Sequence, residues 1–427
     1  MARPAVHDAS FGRAGISPIE RLAALRRPLV PHFLLAFQSI PPAHSSHTWA
    51  YVCFIALVCV FLALDLGILN RKAHVISMKE AVRWSIIWIT CGLAFSAIVY
   101  LAYENHWLGL GLDTPMYGAE SSAGKHAVVN GTVGGFEAAK QYLAGYLVEK
   151  SLAMDNIFVI AIVFSYFGIP DKYQHRVLFW GIIGALLMRG AMIYLGAELV
   201  HRYTWILILF GLFLLLTALK MMLIKGSDDP SKNPAVRLAR RYLNVTEFLD
   251  GSRFFTRRTL APTYSKDPVS GEMKMDPPPP GTLAKRTHLT PLFLALVVVE
   301  FTDLVFAADS IPAVFAITPD PFIVFTSNIF AIMGLRSLYF CLAAAIGRFR
   351  LLKPALIVIM AFVGVKLMLM ATPPYIDNIA GWVGLTVAEG KSIKIPTTWS
   401  LGVVLGVLMF GIVGSLLLPP KPAHKPT

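Results

Sequence analysis

The sequence predicts an all-α polytopic membrane protein: about nine transmembrane helices with an inverted three-helix repeat. Three observations predict it. Hydrophobic residues make up 56% of the 427 positions, charged residues only 15%, and mean hydropathy is +0.62. A soluble globular chain carries about 25% charged residues. The apolar residues gather in blocks long enough to cross a hydrocarbon core, which takes about 20 residues. An acid–arginine–lysine order then recurs over two sets of three consecutive blocks.

The elements run as follows. Residues 1–47 form an extension with five arginines and no clear signal-peptide pattern, expected to be poorly ordered or interfacial. A membrane domain spans 48–418. Its nine blocks lie near 50–69, 84–103, 141–167, 177–197, 203–223, 289–316, 322–345, 354–371 and 399–418. In lipid the backbone must satisfy its own hydrogen bonds, so the blocks are helices. Barrel strands would alternate apolar and polar residues, and these do not. A loop rich in Gly, Asn and Ser occupies about 104–140. A longer connection, 224–288, holds 12 basic residues and a PPPP run at 277–280. Within it PAVRLARRYLNVTEFL reads either as an amphipathic helix on anionic lipid or as a solvated linker. Residues 419–427 are a short tail. The four cysteines, Cys53, Cys59, Cys91 and Cys341, lie in or beside apolar blocks without CxxC spacing and read as packing residues.

Lys and Arg set the orientation. With the N-terminus outside, the inside connections carry 23 basic residues and the outside ones 5. The connection 224–288 and the C-terminus are then cytoplasmic. The arginines of 1–47 run against this arrangement, since it leaves them outside.

The third block contains Glu149, then Asp155 and Asn156; the sixth contains Asp303, then Asp309 and Ser310. Each reads acid-x5-Asp followed by Asn or Ser. The next block in each set holds one arginine amid apolar residues, Arg189 or Arg336, and the third one lysine, Lys220 or Lys366. A three-helix unit repeated in tandem must invert in the membrane. Repeat A covers about 141–223 and repeat B about 289–371, with the acid-bearing helices meeting near the midplane.

An ionised side chain at mid-membrane costs roughly 2.5–3.5 kcal/mol on insertion scales. Glu149, Asp155, Glu300, Asp303 and Asp309 therefore need compensation. One reading is a cation site made by these acids with Asn156 and Ser310. The other is a structural network with Lys150, Arg189, Arg336, Lys220 and Lys366. Lys220 and Lys366 stand near block ends, where snorkelling to the interface is expected. Six residues of regular helix rise about 9 Å and leave two side chains about 120° apart. Glu149 and Asp155 thus form two layers, or the helix is interrupted. Pro312 deprives the Ala308 carbonyl of its partner, so a bend is expected near Asp309. Carboxylate, amide, hydroxyl and carbonyl donors suit Mg, Ca or Mn. Zinc would recruit His or Cys, and Met154 reads as packing. No P-loop, dinucleotide fingerprint or nucleophile–base pair occurs. No enzymatic activity, tightly bound cofactor or nucleic-acid partner is expected, and any pumping must draw on an ion gradient.

EKSLAMDNIFV at 149–159, EFTDLVFAADSIPAVFA at 300–316 and DPFIVFTSNIFAIMGLRSLYF at 320–340 resemble the signature blocks of the TerC family, closest to its Alx-type members. DLGILNRKAHVISMKEA at 65–81 is similar to that family's first cytoplasmic connection. The resemblance runs from about 48 to 418. It implies a transporter of a bacterial inner membrane, associated with manganese efflux and with tellurium resistance. It carries the family's acidic motif onto Glu149, Asp155, Glu300, Asp303 and Asp309, beside Asn156 and Ser310. Mn2+ is then the transported substrate and H+ a fitting coupling ion, since a carboxylate binds either. A non-transporting membrane factor that helps insert or metallate other proteins is the alternative.

Overall fold

The computed structural model describes residues 45–67, 77–117, 128–203, 205–223, 245–260, 262–266, 273–276, 283–343, 351–371 and 395–417. The chain divides into two compact units, Met1–Trp49 and Ala50–Thr427. Only the first turn of a helix is described in the first unit, and the expectation for 1–44 lies outside the described residues.

The described helices are α1 (Ser45–Gly67), α2 (Met78–Glu104), α3 (Gly135–Tyr166), α4 (Asp171–Arg202), α5 (Trp205–Leu223), α6 (Pro291–Phe315), α7 (Pro321–Ile332), α8 (Leu335–Ala343), α9 (Leu352–Ala371) and α10 (Thr397–Leu417). With α7 and α8 counted as one broken span, they match the nine apolar blocks. Among the described residues, eight spans are long and apolar enough to cross a membrane. The other block is α3, which is long enough but carries Glu149, Lys150 and Asp155 mid-helix. Local signals start several helices. Ser77 accepts from the Glu80 amide at 3.3 Å at the head of α2, in the Ser-x-x-Glu pattern. Asp320 accepts from the Phe322 amide at 2.9 Å, and Pro321 opens α7.

The spans differ in what surrounds them. Of the apolar window in Pro321–Cys341, 94% is buried inside the protein, against 17% for α1 and 22% for α10. The broken α7–α8 span is therefore the interior element, and the outer helices turn their apolar sides to lipid. Around it α3 packs on α7 while α4 packs on α6, and α5 lies along α9. α5 and α9 come close because both contacts are glycines. A Cβ on Gly211 would stand 3.0 Å from the Gly364 carbonyl oxygen, and one on Gly364 3.1 Å from that of Gly211. Small residues let membrane helices approach in this way.

One backbone expectation is corrected. α6 is continuous through Asp309 and Pro312, because Pro312 stands in its last turn, where few hydrogen bonds remain to lose. The interruption falls instead between α7 and α8. Gly334 there has φ +75°, and an added Cβ would meet the Trp88 Cβ at 2.5 Å. The carbonyls left at this break are taken by the buried Lys150, whose Nζ donates to Ala331 O at 3.0 Å and Met333 O at 3.3 Å. Gly334→Ala is expected to destabilise by about 1–3 kcal/mol through the left-handed backbone alone. A lowered melting temperature of the purified variant checks this, and an unchanged one would refute the strain.

The long connection is more than a linker. Strand β3 (Phe255–Arg258) pairs antiparallel with β6 (Leu283–Leu289), and β4 (Tyr264–Lys266) with β5 (Met273–Met275). β6 leads into α6 within two residues. The stretch expected as an amphipathic helix falls largely outside the described residues, and its described end, 245–249, is not helical. A further hairpin, β1 (Thr114–Tyr117) with β2 (Val128–Gly131), lies in the loop before α3. Burial pushes the Tyr117 phenol above its usual range, so it stays a donor, to the Phe315 carbonyl at the end of α6.

Candidate functional site

Arg189 organises the centre. It sits mid-way along α4 and is 1% exposed. Its Nε donates to Asp303 Oδ2 at 3.1 Å and its Nη2 to Asp303 Oδ1 at 2.9 Å, a two-pronged grip from α4 to α6. Its Nη1 donates to Glu149 Oε1 on α3 and, at 2.9 Å, to Asn328 Oδ1 on α7. Asn156 Nδ2, on α3, donates to Asp303 Oδ1 at 2.8 Å. Four helices thus meet on one guanidinium. Glu149, Asn156, Asp303 and Asn328 are all buried.

The cluster is left with unused acceptors. Glu149 Oε2 and Asn156 Oδ1 are buried without a hydrogen-bond partner among the described residues. Two carboxylates face one guanidinium, so an ionised cluster carries an excess negative charge in an apolar interior. Glu300 adds to it three residues before Asp303 on α6. Its carboxylate lies against the bare backbone of α4 at Gly184, where any Cβ would collide with it, and its Oε2 has no partner among the described residues. Gly184 is thus what admits an acid here.

The seven predicted site residues do not form one shell. Glu149, Asn156 and Asp303 share the Arg189 cluster, and Glu300 stands beside it. Asp309 lies apart: it is half-buried, and its Oδ1 accepts from Thr217 of α5 at 3.1 Å. Ser310 is buried, with no hydrogen-bond partner for its Oγ among the described residues. Asp155 is on α3, but its side chain lies outside the described residues. On α6 the six-residue spacing explains the separation, since helical rotation turns Asp309 to another face from Asp303. Among the described residues no three Asp, Glu, His or Cys side chains converge as a metal would need. Arg189 fills the space between Glu149 and Asp303 instead.

The basic partners also sort differently from expectation. Lys220 is exposed. Lys366 does not snorkel: it is 3% exposed, and its Nζ donates to Ser400 Oγ at 2.9 Å, tying α9 to α10. α10 packs over α9 and closes that route to the interface. Arg336 is buried in α8. Met154 packs in the apolar cluster around Ile157 and Ile160. Sequence reasoning missed Asn328 and the buried Asp320, whose Oδ2 accepts from Tyr103 at 2.5 Å. An Asp-Pro pair such as 320–321 is a helix-start signal and carries no information on burial.

Comparison with known proteins gives the family. The model of the Integral membrane protein TerC family matches residues 135–421. An uncharacterized membrane protein of Myxococcus xanthus is 38% identical over 391 residues, 91% of this chain and 97% of that protein. Several relatives carry the name "Putative membrane-bound redox modulator Alx". That of Photorhabdus laumondii is 41% identical over 319 residues, 74% of this chain and 85% of the relative. That of Escherichia coli K12 is 36% identical over 362 residues, 84% and 92%. No solved structure matches the chain. This chain belongs to the TerC family of integral membrane proteins.

Proposed function

We propose that the protein exports divalent cations, Mn2+ above all, from the cytoplasm across a bacterial inner membrane. The observation that carries this is the surplus of buried oxygen and negative charge around Arg189. Glu149 and Asp303 come from the first helices of the two repeats, and Glu300 adds a third carboxylate. Hard oxygen donors of this kind suit Mn2+ better than Cu+. Arg189 acts as a tethered cation that holds the acids together when no metal is bound, and a divalent ion competes with it for them. The reciprocal packing of α3 on α7 and α4 on α6 supports the two-fold inverted repeat. A proton gradient drives the cycle, because protonation neutralises the same carboxylates once the metal has left. The excess of basic residues in the connections on one side supports a cytoplasmic C-terminus.

Purified protein in vesicles loaded with a manganese-sensitive dye tests this. Mn2+ entry is expected, faster with an opposing proton gradient and lost when an ionophore collapses it. Movement of Cu+ without Mn2+ would overturn the ligand argument.

The relatives' name favours a second reading, a non-transporting modulator of redox state. Thiol chemistry within one helix does not serve it. Cys53 and Cys59 are six residues apart on α1, a rise of about 9 Å, beyond the ~7 Å between Cα atoms that a disulfide spans. Under that reading the vesicles stay empty of Mn2+ in every gradient.

A further inference from the structure

The β3–β6 ribbon carries a site of its own, away from the acidic centre. A cavity of about 550 Å³ opens on it, lined by Arg253, Arg257, Arg258, Asp250, Phe255 and Thr287 among others. Three arginines face one aspartate. That aspartate is already committed: Asp250 is fully buried, its Oδ1 lies 3.3 Å from Arg258 Nε, and its Oδ2 accepts from Thr256 Oγ1 at 2.7 Å. Arg258 also donates to the Asp276 carbonyl at 2.9 Å. Arg253 reaches Asp250 only at 3.8 Å, with its side chain 68% exposed, and Arg257 is exposed. Their charge is available to an outside anion.

The site's height along the membrane normal identifies that anion. Thr287 lines the cavity four residues before Pro291, the first residue of the spanning helix α6. Phe255 is 54% exposed, and its ring lies 5.2 Å from that of Phe293, on the first turn of α6. Next to it, Phe254 receives the Arg176 guanidinium of α4 at 4.8 Å, and Arg176 Nη1 bonds Ser252 Oγ at 3.2 Å. These contacts hold the ribbon against the membrane ends of α4 and α6. A half-exposed apolar ring beside the first turn of a spanning helix lies within reach of the membrane interface. Arginine's planar fork matches the oxygens of a phosphate.

We propose that this groove binds the phosphate headgroup of an anionic phospholipid in the leaflet where α6 begins. Arg253 and Arg257 grip the phosphate, and Phe255 dips into the acyl boundary beside it. The bound lipid fixes the ribbon to the membrane surface.

The test uses full-length protein extracted in mild detergent and offered equal phosphatidylglycerol and phosphatidylcholine, with retained lipid read by native mass spectrometry. The wild type should keep phosphatidylglycerol in preference, and added salt should weaken retention. The Arg253→Gln/Arg257→Gln variant should lose it by roughly tenfold or more, as expected for removing two cations near an anionic leaflet. Both side chains are exposed and the Asp250–Arg258 pair is untouched, so its melting temperature should stay unchanged. The charge-keeping Arg253→Lys/Arg257→Lys variant should retain most of the binding. Equal retention of both lipids by the wild type would overturn the proposal, as would full retention by the glutamine variant. Binding of inorganic phosphate by lipid-free protein as strong as its retention of phosphatidylglycerol would assign the groove to a soluble anion and overturn the lipid assignment.

Discussion

Arg189→Gln is expected to be the most damaging single substitution in the membrane domain. Arg189 makes four hydrogen bonds to Glu149, Asp303 and Asn328, and its loss leaves two buried carboxylates facing each other without a cation. Breaking a buried ion pair by removing one partner costs about 3–5 kcal/mol. Whole domains are stable by only about 5–15 kcal/mol. The variant should therefore fall in membrane abundance and melt well below the wild type. Arg189→Lys should rescue little, because a point charge cannot hold one carboxylate in a fork and also reach a second. Adding Glu149→Gln and Asp303→Asn to Arg189→Gln should restore abundance, because amides replace both charges whose burial was uncompensated. The restored protein should still export no Mn2+. That combination separates the structural work of the cluster from its transport work. Wild-type melting of Arg189→Gln would show that the acids do not depend on Arg189.

How much of this was legible from residue order follows from what hydropathy measures. Each apolar block became a helix, because backbone satisfaction in lipid leaves no other local structure. The ends moved where charged turns continue a helix beyond the hydrocarbon core, as in α4, which runs Asp171–Arg202 around the block 177–197. The break at Gly334 was hidden inside 322–345, since a positive φ leaves no trace in an apolar average. Pro312 drew attention to the wrong place, because a proline matters less in a last turn than in a helix interior. The short strands of 255–289 give a weak periodic signal, masked by the neighbouring PPPP run. At the site, the acids and Arg189 were visible as charges that a membrane does not tolerate unpaired. Which acids Arg189 would take was not visible. That choice depends on how each helix is rotated about its axis, and on Gly184, whose missing side chain makes room for Glu300. Lys150 and Lys366 show the same limit: both are buried, yet one serves freed carbonyls and the other a serine on α10.

Asp309→Asn should behave in the opposite way to Arg189→Gln, keeping the protein and losing the transport. Asp309 is only half-buried, takes one hydrogen bond from Thr217, and feels the charge of the exposed Lys220 on the same helix as Thr217. An asparagine keeps the size and the acceptor oxygen, and Lys220 stands exposed near the end of α5. Abundance and melting should stay near wild type. Export should nonetheless fail, because the amide cannot supply the charge that a divalent ion needs as it leaves the Arg189 cluster. Asp155 holds the corresponding position in repeat A, so Asp155→Asn should give the same phenotype. The double variant should be little worse than either single one, since residues acting as a unit are not additive. Thr217→Val removes only the donor, should cost about 1 kcal/mol of stability, and should slow export without abolishing it. Manganese content of cells carrying each variant, normalised to protein in the membrane, reads all four. Normal abundance with undiminished export in both single variants would remove Asp155 and Asp309 from the cation path. Normal abundance with no Mn2+ movement even by the wild type would favour the non-transporting reading.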